Sequence, residues 1–220
     1  MPNKPYYFSK GNAHIVIIIS IVVGLLIVVA FVTGVAKLNI NLNKSNNISA
    51  PSSSESKTQP NKKDETVLYE NDEYAFALKY PESWTVKKGT TSDPAVTFIS
   101  KRDSAKDTFN ENIFVTVSNM ARNPGLSSSD TMSIWVKENK SGEYGSTFDI
   151  ASQKSIMVDG LDAEQLIYTF TASSIEIKGM ITVVMKDDKA YLLSYTAETQ
   201  SFDTFAKEVN TIINSFVFKR

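Results

Sequence analysis

A chain of 220 residues, 42% hydrophobic and 10% aromatic, has room for one domain with a real core plus appendages. It has no cysteine, which excludes disulfides, thiol catalysis, thiolate metal sites and a lipid-carrying cysteine, and its one histidine, His14, borders an apolar run, so histidine-based triads and zinc sites are excluded from the rest. Residues 1–66 hold seven lysines against three acids, net +4, whereas residues 67–220 hold 16 basic and 21 acidic side chains, net −5, without a basic run, which argues against a nucleic-acid partner.

The first element follows a short tail, residues 1–14. From Ile15 to Val35 the chain reads IVIIISIVVGLLIVVAFVTGV, with no charge. At ~1.5 Å per helical residue this run spans about 31 Å, close to the ~30 Å hydrocarbon core of a bilayer. A segment in lipid must satisfy its own backbone groups, so a transmembrane helix is expected over residues 15–36, despite the β-branched composition. Tyr6, Tyr7 and Phe8, with Lys4 and Lys10, suit an interfacial belt. Gly34-Val35-Ala36 has the form of a signal cleavage site, but the h-region of a cleaved signal is only about 7–15 residues long. Lys10-Gly11 resembles a pilin-type leader site, but the glutamate that usually follows such a cut is missing. Flanking lysines are nearly balanced and do not set orientation. A short N-tail before a long domain favours the domain outside the cytoplasm.

Residues 37–66 are rich in Asn, Ser, Lys and Pro. After Ile48 no large apolar side chain occurs until Val67. Such composition cannot offset the entropy of ordering, so a disordered polar tether is expected.

From Val67 onward the period becomes two. Tyr74, Phe76, Leu78 and Tyr80 alternate with Ala75, Ala77 and Lys79, predicting a half-buried strand stopped by Pro81. Trp84 and Val86 open a second extended piece. Further strands are expected at 95–100, 113–118, 148–158, 163–171, 176–186 and 191–197. Asp159-Gly160 is a favoured tight-turn pair, and Asp187-Asp188-Lys189 marks a second hairpin. Two helices interrupt the strands. The first is capped by Ser128 or Ser129, with Asp130 at its positive end and Met132, Trp135 and Val136 as its apolar stripe. The second is capped by Ser201 and repeats Phe202, Phe205, Val209, Ile212, Ile213 and Phe216 at helical spacing. Short turns between neighbouring strands predict an α+β fold with a central, mainly antiparallel sheet covered by helices.

The run Tyr74-Ala75-Phe76-Ala77-Leu78-Lys79-Tyr80-Pro81-Glu82-Ser83-Trp84-Thr85-Val86 resembles the opening of PsbP-like domains, in which a strand ends in a Tyr-Pro-x-x-Trp element. The order of strands and helices that follows is similar over residues 67–220. The resemblance implies an α/β/α sandwich. Plant and cyanobacterial members are extrinsic lumenal subunits that assist photosystem II; the anchor and tether here set this chain among membrane-anchored prokaryotic relatives, so the photosynthetic role is not carried over.

Residues able to do chemistry are few. Tyr80, Pro81 and Trp84 read as a structural family motif: the proline stops a strand and the indole caps the core. Trp135 reads as core, or as an interface anchor if exposed. Glu70, Asp72 and Glu73, and Asp187 with Asp188, lack the spacing of a calcium loop and read as solvated turns. Paired carboxylates are the one hydrolytic device left open, for example Glu164 with Glu176 on neighbouring strands, which nothing in the spacing singles out. No P-loop, G-x-G-x-x-G or G-x-S-x-G occurs. The expectation is a non-enzymatic module with no cofactor or metal, anchored in the membrane and engaging another envelope protein. A small ligand or cell-surface polymer held between sheet and helix is the alternative.

Overall fold

The computed structural model describes residues 65–89, 94–102 and 109–220. The expected membrane helix over residues 15–36 and the tether through residue 64 lie outside the described residues. No helix among the described residues is long and apolar enough to cross a membrane.

Among the described residues, ten strands and two helices follow in order. They are β1 (Thr66–Asn71), β2 (Phe76–Pro81), β3 (Thr85–Lys88), β4 (Val96–Ile99), β5 (Asn112–Asn119), α1 (Ser128–Ser141), β6 (Asp149–Val158), β7 (Leu161–Ala172), β8 (Ile175–Lys186), β9 (Lys189–Glu198), α2 (Phe202–Asn214) and β10 (Val217–Phe218). Seven strands form one sheet in the order β3-β4-β5-β9-β8-β7-β6, with every pair antiparallel. Three more form a second sheet, β1-β2-β10, also antiparallel.

The large sheet is the middle layer. On one face Ile113, Leu193 and Tyr195 meet Phe205, Val209 and Ile212 of α2, together with Phe76 and Leu78 of the small sheet. On the other face Leu166, Tyr168 and Ile181 meet Met132 and Trp135 of α1. Period-two alternation places odd residues of β9 on the first face and even ones on the second, which is why β9 is apolar on both sides. The central antiparallel sheet with helices on both faces is as expected. The second sheet is not: β1 had no strand signal, because only Tyr69 of its six side chains is buried.

Three two-residue turns join β6 through β9. Asp159-Gly160 (φ 48° and 76°), Ser173-Ser174 (49° and 68°) and Asp187-Asp188 (49° and 54°) all have positive φ at both positions, as hairpins of matching twist require. The middle one went unread, since serine is a weak turn signal, and Lys189 belongs to β9 rather than to its turn.

Two further expectations are corrected. β2 begins at Phe76 rather than Tyr74, because Ala75 stands at φ 53° and the Tyr74 N–H donates to Asn71 Oδ1 at 2.9 Å, closing a turn. Ser127, not Ser128 or Ser129, caps α1: its hydroxyl accepts from the Asp130 N–H at 3.0 Å, while its own N–H donates to the Asp130 carboxylate at 3.0 Å. Ser201 does precede α2, but in helical geometry and without a side-chain cap bond.

Candidate functional site

The Tyr80-Pro81-x-x-Trp84 element carries the chain from the small sheet to the large one. Pro81 has no N–H and ends β2; its carbonyl accepts from the Trp84 N–H at 2.9 Å, closing a turn before β3. The indole is then 4% exposed, edge-on to Phe205 at 6.0 Å, and donates from Nε1 to Glu208 Oε2 at 2.7 Å. Tyr80 lies 4.9 Å from the Phe98 ring. The motif therefore fastens the sheet-to-sheet crossing onto α2. Glu208 is 124 residues from Trp84 in sequence, so no local pattern could have paired them.

The C-terminus is held by polar contacts of the same kind. Ser215 Oγ accepts from the Lys79 N–H at 2.8 Å and donates to its carbonyl at 3.2 Å, standing in for a strand partner where β10 has not yet begun. The Phe218 N–H donates to Asp159 Oδ2 at 3.0 Å, and the Tyr191 hydroxyl donates to the Tyr74 carbonyl at 3.0 Å. Lys219 binds Asp72 and reaches Glu70 at 3.0 Å. Its hydrogen bond, with its charge, holds the Asp72 carboxyl below the usual range, and the lysine is raised in return. This acidic cluster is thus an exposed clasp for the C-terminal strand.

The remaining sequence candidates separate. Trp135 is 1% exposed, packed against Tyr168 at 5.1 Å and Phe148 at 5.9 Å, so it offers no surface to a partner. Glu164 and Glu176 do not meet. Across β7–β8 Glu164 faces Val183 and Glu176 faces Thr171. Thr171 stands seven residues beyond Glu164, about 23 Å along the strand at ~3.3 Å per residue, and on the opposite face. Register, which composition does not reveal, dissolves the pair. Among the described residues no group of three or more His, Cys, Asp or Glu is placed to hold a metal ion. Burial pushes the Tyr168 and Tyr195 phenols up, and the Tyr195 hydroxyl donates to the Phe202 carbonyl at 3.0 Å, a structural use.

The surface that the sequence reading missed is the outer edge of β6. This strand ends the large sheet, and seven of its ten side chains (Asp149, Ala151 to Ser155 and Met157) stand well out of the core. Met157 is 60% exposed. On the α1 side of this edge Glu164 accepts from Ser155 Oγ at 2.5 Å and from Gln153 Nε2 at 3.3 Å. A bulge at Ala151 breaks the ladder between Ile150 and Ser152, leaving Ser152–Val158 regular. Four consecutive polar residues, Ser152 to Ser155, are the trace of it in the sequence, but only the strand order makes β6 an edge.

A sequence profile described as PsbP-like protein matches residues 15–218. Among curated proteins none matches the sequence. Solved structures share the fold, three of them as follows. The solution structure of cyanobacterial PsbP (CyanoP) from Synechocystis sp. PCC 6803 superposes with a TM-score of 0.53 at 16% identity, covering 74% of this chain and 97% of that one. LpqN of Mycobacterium tuberculosis, described as involved in cell envelope biogenesis, gives 0.52 at 11% identity, covering 71% and 91%. PA94 of Pseudomonas aeruginosa, a protein of unknown function described as a putative regulator, gives 0.51 at 10% identity, covering 70% and 98%.

Proposed function

Because this chain belongs to the PsbP-like protein family, we propose that it is a membrane-tethered module without catalytic activity, which holds a rigid binding domain outside the cytoplasm and engages another envelope protein there. The observation that carries this reading is the span of the family match. It begins at Ile15, the first residue of the apolar run, and ends at Phe218. Apolar run, polar segment and domain are therefore matched as one unit. A run of this length suits a bilayer, and the polar segment gives the domain reach.

The polar networks support the same reading. Trp84–Glu208, Asp159–Phe218 and Lys219–Asp72 each join parts of the fold rather than converging on a cleft. LpqN, a protein of the same fold described as involved in cell envelope biogenesis, makes an envelope setting a natural one to test. The test is photo-crosslinking in intact cells at native expression, with the reactive group at exposed Asn210 and, separately, at Ser133. A single discrete adduct from one of these sites supports the reading. Diffuse adducts from both, matching abundant neighbours, contradict it.

A further inference from the structure

We propose that the outer edge of β6 pairs with the same edge of a second copy of this chain, joining two seven-stranded sheets about a two-fold axis. This goes beyond the reading above, and does not need the envelope partner that reading invokes.

An open sheet edge presents a row of unpaired backbone groups, and proteins shorten, charge or cover such edges. The other edge of the large sheet follows this rule: β3 has only four residues and carries Lys87 and Lys88. β6 does not. Its bulge shields the stretch before Ser152, but Ser152–Val158 is seven residues of regular strand with one charge, Lys154.

That stretch is complementary to itself. When a two-fold axis runs perpendicular to a continuous sheet, each residue must face one on the same side of the sheet. The centre then falls on a residue, which faces its own counterpart. Only a centre at Ser155 uses the whole regular stretch. It sets Ser155 opposite Ser155, Lys154 opposite Ile156, Gln153 opposite Met157, and Ser152 opposite Val158 of the second copy. Each polar side chain but the central serine faces an apolar one, and the exposed Met157 is covered. A centre at Lys154 would set like charges directly opposite, which is unfavourable. A centre at Gln153 would bring the bulged Ala151 into the ladder. The Glu164 carboxylates of the two copies, each one strand in from the edge, stand three strand spacings apart, about 14 Å at ~4.8 Å each, beyond the ~8 Å screening length at physiological salt.

The absence of cysteine makes the test clean. The full chain carrying Ser155→Cys is expressed in cells, oxidised with copper phenanthroline, and run without reductant. Directly opposed residues have Cα atoms about 4.5–5.5 Å apart, within disulfide reach. Met157→Cys is the control: random collision favours it, because Met157 is 60% exposed, whereas the two-fold places it four residues from its own counterpart. Gln153→Cys expressed together with Met157→Cys supplies a second route that leaves Ser155 and its bond to Glu164 intact. The proposal expects dimer from Ser155→Cys and from the mixed pair, little from Met157→Cys alone, and loss of the Ser155→Cys dimer when Ile156→Lys is added opposite Lys154. Dimer from Met157→Cys alone equal to that from Ser155→Cys, or monomer throughout, overturns it.

Discussion

Gly179 on β8 lies directly opposite Tyr168 on β7, under the tyrosine ring. A methyl group at Gly179 would stand 2.3 Å from Tyr168 Cζ, 2.6 Å from its Oη and 2.7 Å from Cε1. Carbon atoms pack at about 3.5–4.0 Å, so the ring would have to retreat by more than ~1 Å. It has nowhere to go. Tyr168 is 5% exposed, with the rings of Trp135, Phe148 and Phe170 at 5.1, 5.3 and 6.1 Å. Overpacking of this kind costs roughly 1–3 kcal/mol, against a gain of about 0.5–1 kcal/mol from replacing glycine by alanine in a strand. Gly179→Ala should therefore destabilise the domain by about 1–2 kcal/mol, lowering Tm by roughly 2–8 °C for a domain of this size. Thermal unfolding of the purified chain, followed by near-ultraviolet circular dichroism, reads it. The reasoning also requires that the penalty vanish when the ring is removed: in a Tyr168→Ala background Gly179→Ala should be neutral or stabilising. An unchanged or raised Tm in the wild-type background, or the same penalty without the ring, refutes the packing argument.

Glu208→Leu should cost about 1–3 kcal/mol in chemical denaturation, because it strands the Trp84 indole N–H in a buried position, while Glu208→Gln keeps an acceptor and loses less. Asp159→Ala removes the acceptor for the Phe218 N–H and puts alanine at φ 48°; a loss of about 1–3 kcal/mol is expected, with early hydrogen exchange at Phe218, and Asp159→Asn should recover most of it. The Asp72 carboxyl, held low by Lys219, stabilises the fold fully above the ordinary aspartate value near pH ~3.9 and loses that contribution as pH falls through its lower folded-state value. Lys219 has the opposite sign: its share is complete below the ordinary lysine value of about 10.4 and is lost as pH rises through its raised one. Carbon-detected NMR titration should show the Asp72 midpoint return to the ordinary range in Lys219→Ala; no movement would mean that the clasp does not form in solution.

The strands of the large sheet from β5 to β9 were legible as strand-like runs of eight or more residues, and Asp159-Gly160 is a turn on sight. Helix α2 was legible because its five buried side chains recur at helical spacing. What failed to show depended on distance or on absence. β1 buries one side chain and so has no alternation to read. The cap of α1 was placed at Ser128 or Ser129, because three consecutive serines look alike in sequence and only the Asp130 contact selects Ser127. The Tyr-Pro-x-x-Trp element was read as structural without its partner, since Glu208 arrives from another element. The β6 edge was read as a strand but not as a surface, because being last in a sheet is a property of topology.

The compartment of the domain bears most directly on the account. Two single-cysteine variants of the full chain suffice: Ser141→Cys, exposed at the end of α1, and Ser9→Cys, ahead of the apolar run. Intact cells are labelled with a membrane-impermeant maleimide, then broken, fractionated and relabelled. The account predicts both variants in the membrane pellet, with Ser141→Cys labelled in intact cells and Ser9→Cys labelled only after lysis. Protection of Ser141→Cys in intact cells, or recovery of the domain free of the membrane, would contradict it.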